Sequence, residues 1–228
     1  MNWQAIVLSL KLAVCVAGIL LAIGMPIAYW VTFSRWRWKF LIEAIVALPL
    51  VLPPTVLGYY ILVGLGPRHF AGRIWQGWFG HTLPFTFGGL LVASVLYSLP
   101  FAVQPISAGF EGVDRRLIEA SWTLGASRLA TFFRVILPLS AAGAITGIVL
   151  SFAHTIGEFG VVLMVGGNIP GVTRTVSIDI YDRVQASDYA AANATSLLLL
   201  VFCFVVLATV YGLNRRPSRT WLSVGPAK

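Results

Sequence analysis

An uncharged, largely apolar run of 22 residues, LAVCVAGILLAIGMPIAYWVTF, extends from Leu12 to Phe33. At about 1.5 Å per residue, an α-helix of this length crosses the roughly 30 Å hydrocarbon core of a bilayer. Four further runs pass the same test: Leu41 to Leu65, Phe85 to Ala108, Leu139 to Val165 and Ala190 to Leu213. The sequence therefore predicts an all-α, multi-pass membrane protein with five transmembrane helices. A sixth helix, short or re-entrant, has room between Gly72 and Phe85 or between Val165 and Ala190.

The composition agrees with a membrane location. Hydrophobic residues make up 58% of the chain and charged residues 11%, whereas soluble domains are about 45 to 50% apolar. We expect residues 1–228 to form one transmembrane domain.

Lysines and arginines are distributed unequally between the two sides that these spans define. Eleven lie on one side: Arg35, Arg37, Lys39, Arg115, Arg116, Arg128, Arg134, Arg215, Arg216, Arg219 and Lys228. Five lie on the other: Lys11, Arg68, Arg73, Arg174 and Arg183. The positive-inside rule assigns the richer side to the cytoplasm, with the N-terminus outside and the C-terminus inside. Because the basic residues lie in loops that flank spans, attraction to lipid headgroups explains the net charge of +8 without a nucleic-acid partner.

Prolines interrupt several predicted spans, and the second span holds three, at Pro49, Pro53 and Pro54. Proline removes a backbone donor, which a membrane tolerates mainly where neighbouring helices or a water-filled cavity supply partners. The pattern favours a bundle with a pathway over a simple anchor, while any single proline is equally consistent with an ordinary kink. Pro53, Pro54 and the adjacent Thr55 are candidates for that pathway or its gate.

The motifs of a membrane enzyme are missing from the sequence. No lysine follows a glycine, which excludes a phosphate-binding loop, and His69, His81 and His154 lack the spacing of metal ligands. Cys15 and Cys203 each lie in an apolar run, which indicates packing rather than a disulfide or a zinc site. We expect no catalytic residue, no metal and no cofactor.

Two ionisable side chains, His154 and Glu158, lie within the predicted fourth span. They are four residues apart, so a helix would place them on one face, within hydrogen-bonding reach. Glu158 lies about nineteen residues along a span entered from the cytoplasm, near the outer surface where water can reach it. A structural or gating role is therefore favoured over substrate binding. Gly157 and Gly160 flank the carboxylate and indicate a close helix contact or a local break.

The longest predicted cytoplasmic connection, residues 110–138, has the pattern of two short helices joined at a glycine. Asp114 can cap a first helix with an apolar face at i, i+3, i+4 and i+7, formed by Leu117, Ala120, Ser121 and Leu124. Gly125 follows where a helix end favours a left-handed residue. Ser127 can cap a second helix, with Leu129, Phe132, Phe133 and Ile136 at the same spacing. Such a unit either lies on the bilayer surface or presents a short helix to a soluble partner.

This connection resembles the EAA motif of the permease subunits of ABC importers. That motif is EAA, three residues, Gly, nine residues, then Ile, any residue, Leu and Pro. The present chain has Glu119-Ala120-Ser121, Gly125 and Val135-Ile136-Leu137-Pro138 at the same spacing. Ser121 replaces the second alanine, at the third position of the motif, and Val135 replaces the isoleucine.

The resemblance extends over most of the chain, to the molybdate permeases within that family. It is carried by LPLVLPPTVLGY at 48–59, FEGVD at 110–114, GEFG at 157–160 and NIPGVTRT at 168–175. One departure is His154, where an arginine is usual, and it leaves open whether a cation is needed there on an anion path.

The resemblance implies an ABC-importer permease fold in a protein that performs no chemistry itself. The implied partners are two cytoplasmic ATPase subunits, a second copy of the chain and an external molybdate-binding protein, besides membrane lipid. The implied cargo is molybdate, with tungstate also accepted. The residues expected to couple to the ATPase are Glu119, Ala120, Ser121, Gly125, Ala126, Ser127, Leu137 and Pro138.

Two alternatives stay open. A permease of the same kind could carry another oxyanion such as sulfate. A secondary transporter acting alone would predict internal repeats and more ionisable groups at mid-membrane, and neither is evident in the sequence.

Overall fold

The computed structural model describes residues 2–214, and every regular element in that range is helical. The first six helices are α1 (Trp3–Phe33), α2 (Lys39–Val51), α3 (Pro54–Leu65), α4 (Phe70–Phe79), α5 (Phe87–Glu111) and α6 (Arg115–Thr123). They are followed by α7 (Arg128–Thr131), a π-helical turn (Phe132–Ile136), α8 (Leu137–Leu139), α9 (Ala141–Gly157), α10 (Gly160–Gly166), α11 (Val176–Gln185) and α12 (Tyr189–Asn214). Four of the predicted cytoplasmic cations, Arg215, Arg216, Arg219 and Lys228, lie outside the described residues.

Three helices are long and apolar enough to cross a membrane alone, namely α1, α5 and α12. They confirm the first, third and fifth predicted spans. Two bent pairs pass the same test together. They are α2 with α3, where the chain bends by 115°, and Arg128–Leu139 with α9, where it bends by 72°. Length and composition thus allow three crossings in the described residues, or up to five if each bent pair is one crossing.

The prolines of the second span differ in their effect. Pro49 lies inside α2, whereas Leu52 and Pro53 have extended backbones (ψ 137° and 135°) and separate α2 from α3. Pro54 then occupies the first position of α3, where its missing N–H leaves no intrahelical bond unmade. Of the three prolines, it is the adjacent pair that marks the break.

The fourth predicted span, Leu139 to Val165, is wrong as a single helix. α9 ends at Gly157, Glu158 has an extended backbone (φ −65°, ψ 134°), and α10 begins at Gly160. The break lies between the two glycines, one of the two outcomes that the GEFG pattern indicates.

The two intervals with room for a sixth helix each contain a short one. α4 and α11 have ten residues each, about half of what a transmembrane helix needs. They are connecting helices rather than further spans.

The centre of the protein is formed by α1, α5 and α9, which pack against one another. α5 and α9 approach so closely that a Cβ on Gly143 would lie 2.6 Å from the Pro105 carbonyl oxygen. Small residues at such crossings let helix backbones meet without a hydrophobic driving force between them. α12, in contrast, exposes most of its apolar side chains, as a helix facing lipid does.

Candidate functional site

The connection between α5 and α9 contains the capped helices that the sequence predicts. The Asp114 carboxylate accepts a 2.9 Å hydrogen bond from the Arg116 amide at the start of α6. The Ser127 hydroxyl accepts one of 3.2 Å from the Ala130 amide at the start of α7. Both cap predictions are confirmed.

Gly125 is the left-handed residue after α6, with φ at +81°. Its amide donates to the Trp122 carbonyl at 2.9 Å, and the Ala126 amide donates to the Ser121 carbonyl at 3.0 Å. These bonds use carbonyls that a helix end otherwise leaves unpaired. The predicted glycine turn is confirmed.

The second predicted helix of this connection is wrong as a continuous α-helix. α7 has only four residues and runs into the π-helical turn, in which the Leu137 amide donates to the Phe132 carbonyl five residues earlier. Pro138 has no amide hydrogen and its ring would collide with the Arg134 carbonyl in a regular α-helix. The wider turn accommodates the proline.

α6 has two faces with different surroundings. One carries Arg115, Ile118, Glu119 and Trp122, at helical spacing, and lines a cavity of about 580 Å³. Ile118 on this face is 5% exposed. It belongs to a buried cluster that we call the loop core: Ala28, Val46, Val103, Ile106, Phe110, Val113, Ile118 and Ile136. The loop core joins the ends of α1, α2 and α5 to α6 and the π-helical turn.

The predicted apolar face of α6 is the exposed one. Leu117 is 48% exposed and Leu124 is 88% exposed. Leu129 and Phe133 are exposed beyond the glycine turn, and we call these four side chains the outer surface of the loop. Exposed apolar side chains of this kind are typical of a surface that meets a partner or lipid.

Ser121 fixes the two helices of the connection to each other. Its hydroxyl donates to the Ile118 carbonyl at 2.7 Å and lies 2.8 Å from the Thr131 hydroxyl, which is buried. The motif serine thus has a structural partner that an alanine would lack.

Three of the predicted pathway residues lie at one helix break, and Glu158 lies at the other. Pro53, Pro54 and Thr55 are exposed at the start of α3. A Cβ on Gly160 would lie 2.7 Å from the Pro54 Cβ, so the break before α3 contacts the break before α10.

His154 and Glu158 do not form the predicted pair. His154 Nδ1 lies 3.0 Å from the Ser98 hydroxyl, and its ring stacks on Phe101 at 3.9 Å. Because α9 ends at Gly157, the Glu158 side chain leaves the face that carries His154. The expectation that water reaches Glu158 is also wrong for the single chain, since the residue is 3% exposed.

The connection between α10 and α12 holds a polar network that sequence reasoning missed. Asp179 Oδ1 accepts a 3.0 Å bond from Asn2, and its Oδ2 accepts a 2.8 Å bond from Arg183. Burial acts to raise the pKa of Asp179, but the bonds from Arg183 and Asn2, with the charges of Arg183 and Arg174, hold that pKa below its ordinary value.

A second part of this network lies in the NIPGVTRT stretch. Asn168 donates to Asp182 at 2.6 Å and accepts from Arg174 Nε at 2.6 Å. The spacing of Asp179 and Arg183, four apart on α11, was the signal available in the sequence.

Within the described range, no group of three or more histidine, cysteine, aspartate or glutamate side chains is arranged to hold a metal ion. The described residues do offer exposed apolar side chains on the α5–α9 connection and two helix breaks that touch.

Comparisons with known proteins agree on one family. A family model described as "binding-protein-dependent transport system inner membrane component" matches residues 16–219. The chain is 52% identical over 211 residues to the molybdenum transport system permease protein ModB of Azotobacter vinelandii, covering 92% of this chain and 93% of that protein. It is 32% identical over 196 residues to the sulfate transport system permease protein CysT of Escherichia coli, covering 86% and 70%.

The fold has a solved counterpart. A structure of the methionine ABC transporter MetNI in inward-facing conformations matches with a TM-score of 0.74 at 16% identity, covering 93% of this chain and 94% of that one. The chain thus has the fold of an ABC-transporter permease.

Proposed function

Since the chain belongs to the family of binding-protein-dependent transport system inner membrane components, we propose that it is the permease subunit of an ATP-driven molybdate importer. The observation that carries the proposal is the outer surface of the loop, where Leu117, Leu124, Leu129 and Phe133 are exposed on a capped and well-packed frame. A rigid unit that presents apolar side chains to water is suited to docking a soluble partner.

In this proposal the soluble partner is an ATPase, two copies of which bind two copies of the permease. ATP hydrolysis takes place in the ATPase, and the permease transmits movement. The residues that form or support the docked unit are Glu119, Ala120, Ser121, Gly125, Ala126, Ser127, Leu137 and Pro138. An external binding protein delivers molybdate to the opposite side.

The second copy of the chain has a physical reason. Up to five crossings in the described residues are few for enclosing a gated pathway, and a symmetric pair doubles them. The whole chain, residues 1–228, acts as one transmembrane domain with its N-terminus outside and its C-terminus in the cytoplasm. A reporter fused after Lys228 should be cytoplasmic and one inserted near Gly171 external; finding both on one side would contradict this topology.

Molybdate is favoured over sulfate by the difference between 52% identity to a molybdenum permease and 32% to a sulfate permease. Tungstate, with nearly the same size and charge, should share the path. In this proposal the pathway or its gate includes Pro53, Pro54, Thr55, His154 and Glu158. These residues lie at or next to the helix breaks before α3 and α10, and the two breaks are in contact.

Labelled uptake tests this assignment in proteoliposomes that contain the permease, the ATPase and the binding protein. We expect ATP-dependent molybdate uptake that tungstate inhibits and sulfate does not. Inhibition by sulfate but not by tungstate would move the assignment to sulfate. Uptake that needs neither ATP nor the ATPase would instead identify a secondary transporter.

The gate is tested with two neighbouring glycines. Gly160→Ala forces its new methyl group against Pro54, whereas a Cβ on Gly157 would meet no atom within 4 Å. Overpacking of this kind costs about 1 to 3 kcal/mol. At equal expression, Gly160→Ala should reduce uptake and Gly157→Ala should not; equal uptake in both would remove these breaks from the gate.

A further inference from the structure

The cavity behind α6 shares only Glu119 with the proposed coupling residues, and its other lining residues have no role in the proposed transport or coupling. It measures about 580 Å³, a size typical of small-ligand sites. Its walls come from the end of α1, the segment before α2, α6, α7 and the π-helical turn.

The charge of this cavity is strongly positive. Its lining has four cations and one carboxylate, Glu119. Lys39 has partners, since it lies 3.7 Å from Glu43 and donates to the Val31 carbonyl. Arg35, Arg115 and Arg128 form no ion pair with any of residues 2–214. Three guanidinium groups around one cavity are suited to bidentate binding of a phosphate group.

The cavity adjoins the end of a helix that is long and apolar enough to cross a membrane. It begins at the last turn of α1, a membrane-spanning helix, and ends at the first residue of α2. Beside it Trp36, Trp38 and Phe40 are exposed, and exposed tryptophans at a span end mark the membrane interface.

Apart from Glu119 at its rim, this cavity lies on the face of α6 opposite the outer surface of the loop. Leu117 and Leu124 point away from it, while Arg115, Ile118 and Trp122 line it. A partner on the outer surface of the loop thus meets the other side of the helix, and the aromatic rings of Tyr29 and Phe33 give the cavity walls an apolar part. A ligand with a phosphate and an apolar stem matches this combination.

We propose that this cavity binds the phosphate headgroup of an anionic phospholipid, held by Arg35, Arg115 and Arg128 between the end of α1 and α6. The bound lipid links the membrane surface to the helix that carries the outer surface of the loop.

The test uses the full chain in a neutral detergent and measures thermal unfolding during titration with phosphatidylglycerol or phosphatidylcholine. The variant replaces all three cavity arginines: Arg35→Gln, Arg115→Gln and Arg128→Gln. The matched control replaces three arginines on the same side that do not line the cavity: Arg37→Gln, Arg116→Gln and Arg134→Gln. Both variants lose the same charge.

Phosphatidylglycerol should stabilise the unmodified chain and the control variant more than phosphatidylcholine does. In the cavity variant, the half-saturating concentration of phosphatidylglycerol should rise at least about tenfold, the loss expected when charge-assisted hydrogen bonds are removed. Equal loss in the control would identify diffuse attraction to surface charge and overturn the site.

Two further arms separate other occupants. Inorganic phosphate added without lipid should not reproduce the shift; if it does, the ligand is a soluble anion and the lipid assignment fails. The titration is repeated with the ATPase bound, where the preference for phosphatidylglycerol should persist. Its disappearance there would show that the ATPase fills the cavity.

The single variant Arg35→Gln is measured alongside, in case the triple variant proves unstable. It should show a smaller loss of affinity for phosphatidylglycerol, and no loss would also overturn the site.

Discussion

The connection between α5 and α9 and the connection between α10 and α12 use their charges in opposite ways. Each contains a short helix of nine or ten residues and at least two arginines. On α11 and before it, Arg174 and Arg183 are paired with Asp182, Asp179 and Asp188. Around α6, Arg115 and Arg128 have no such partner among the described residues, and large apolar side chains are exposed beside them.

This difference indicates which of the two connections satisfies its charged groups within the chain. A surface whose charged groups are already paired within the chain gains little binding free energy from a further ligand. A surface with free guanidinium groups and exposed leucines gains both ion pairs and apolar burial when something binds. We infer that the charged and apolar side chains of the α5–α9 connection find their contacts in binding partners, whereas the α10–α12 connection is a rigid part of the fold.

The largest expected effect comes from Gly125→Pro. Proline fixes φ near −65°, whereas Gly125 has φ of +81° and donates its amide to Trp122. The turn cannot form, so ATP-driven uptake should be abolished while the protein still reaches the membrane. Gly125→Asn is the control, because asparagine tolerates the left-handed region. Normal uptake by the proline variant, with the ATPase bound, would show that this turn does not couple the two subunits.

The charge reversal Glu119→Lys complements this test. In our proposal Glu119 belongs to the docked unit, and it is exposed at the rim of the cavity. We expect loss of ATP-driven uptake at unchanged thermal stability of the permease. Unchanged uptake would remove Glu119 from the coupling residues.

A pair of neighbouring substitutions separates the two faces of α6. Ile118→Ala removes a side chain that is 5% exposed in the loop core, and should cost about 2 to 5 kcal/mol of stability. Leu117→Ala removes one that is 48% exposed, and should leave the melting temperature of the isolated permease unchanged but weaken its retention of the ATPase. Identical outcomes for both variants would contradict the assignment of the faces.

The smallest effect is expected at the α10–α12 connection. Asp179→Asn should cost about 1 to 3 kcal/mol, the usual contribution of hydrogen bonds to a charged group. Asp188→Asn should cost less than about 1 kcal/mol, since the Asp188 side chain is 50% exposed and that of Asp179 is 6% exposed. Melting temperatures of the two variants measure the difference.

The pH dependence of this effect has a definite sign. The pKa of Asp179 is lowered in the folded protein, so its ion pair stabilises the fold fully above the ordinary aspartate value of about 3.9. The stabilisation is lost as the pH falls through the lowered pKa. The gap between the original chain and Asp179→Asn should therefore be constant near neutral pH and shrink below about pH 4; a gap that widens there would refute the ion pair.

Local signals made the α5–α9 connection predictable. Asp114, Gly125 and Ser127 act on backbone groups within four residues, so their roles follow from the sequence alone. Periodicity also identified the apolar face of α6, but it cannot distinguish a face that packs from one that docks. The residue of α6 that packs, Ile118, lies on the other face. Its contacts are with helices that are distant in the sequence, so periodicity within α6 does not reveal them.

The helix breaks depended on contacts that the sequence does not contain. The spacing of His154 and Glu158 predicts a pair only if the helix continues past Gly157, and it does not. The GEFG pattern allowed a break or a close contact, and both occur, since Gly160 abuts Pro54 across a distance of more than a hundred residues in the chain. The network of Asn2 with Asp179 is equally remote in sequence.

The loop core has a mechanical consequence. Ile118 and Ile136 are packed in one cluster with Ala28 and Val103, from α1 and α5. Close-packed side chains have low compressibility and transmit strain rather than absorb it. We therefore expect a pull on α6 to displace the parts of α1 and α5 that carry Ala28 and Val103 together with it, rather than to be lost in bending of the connection.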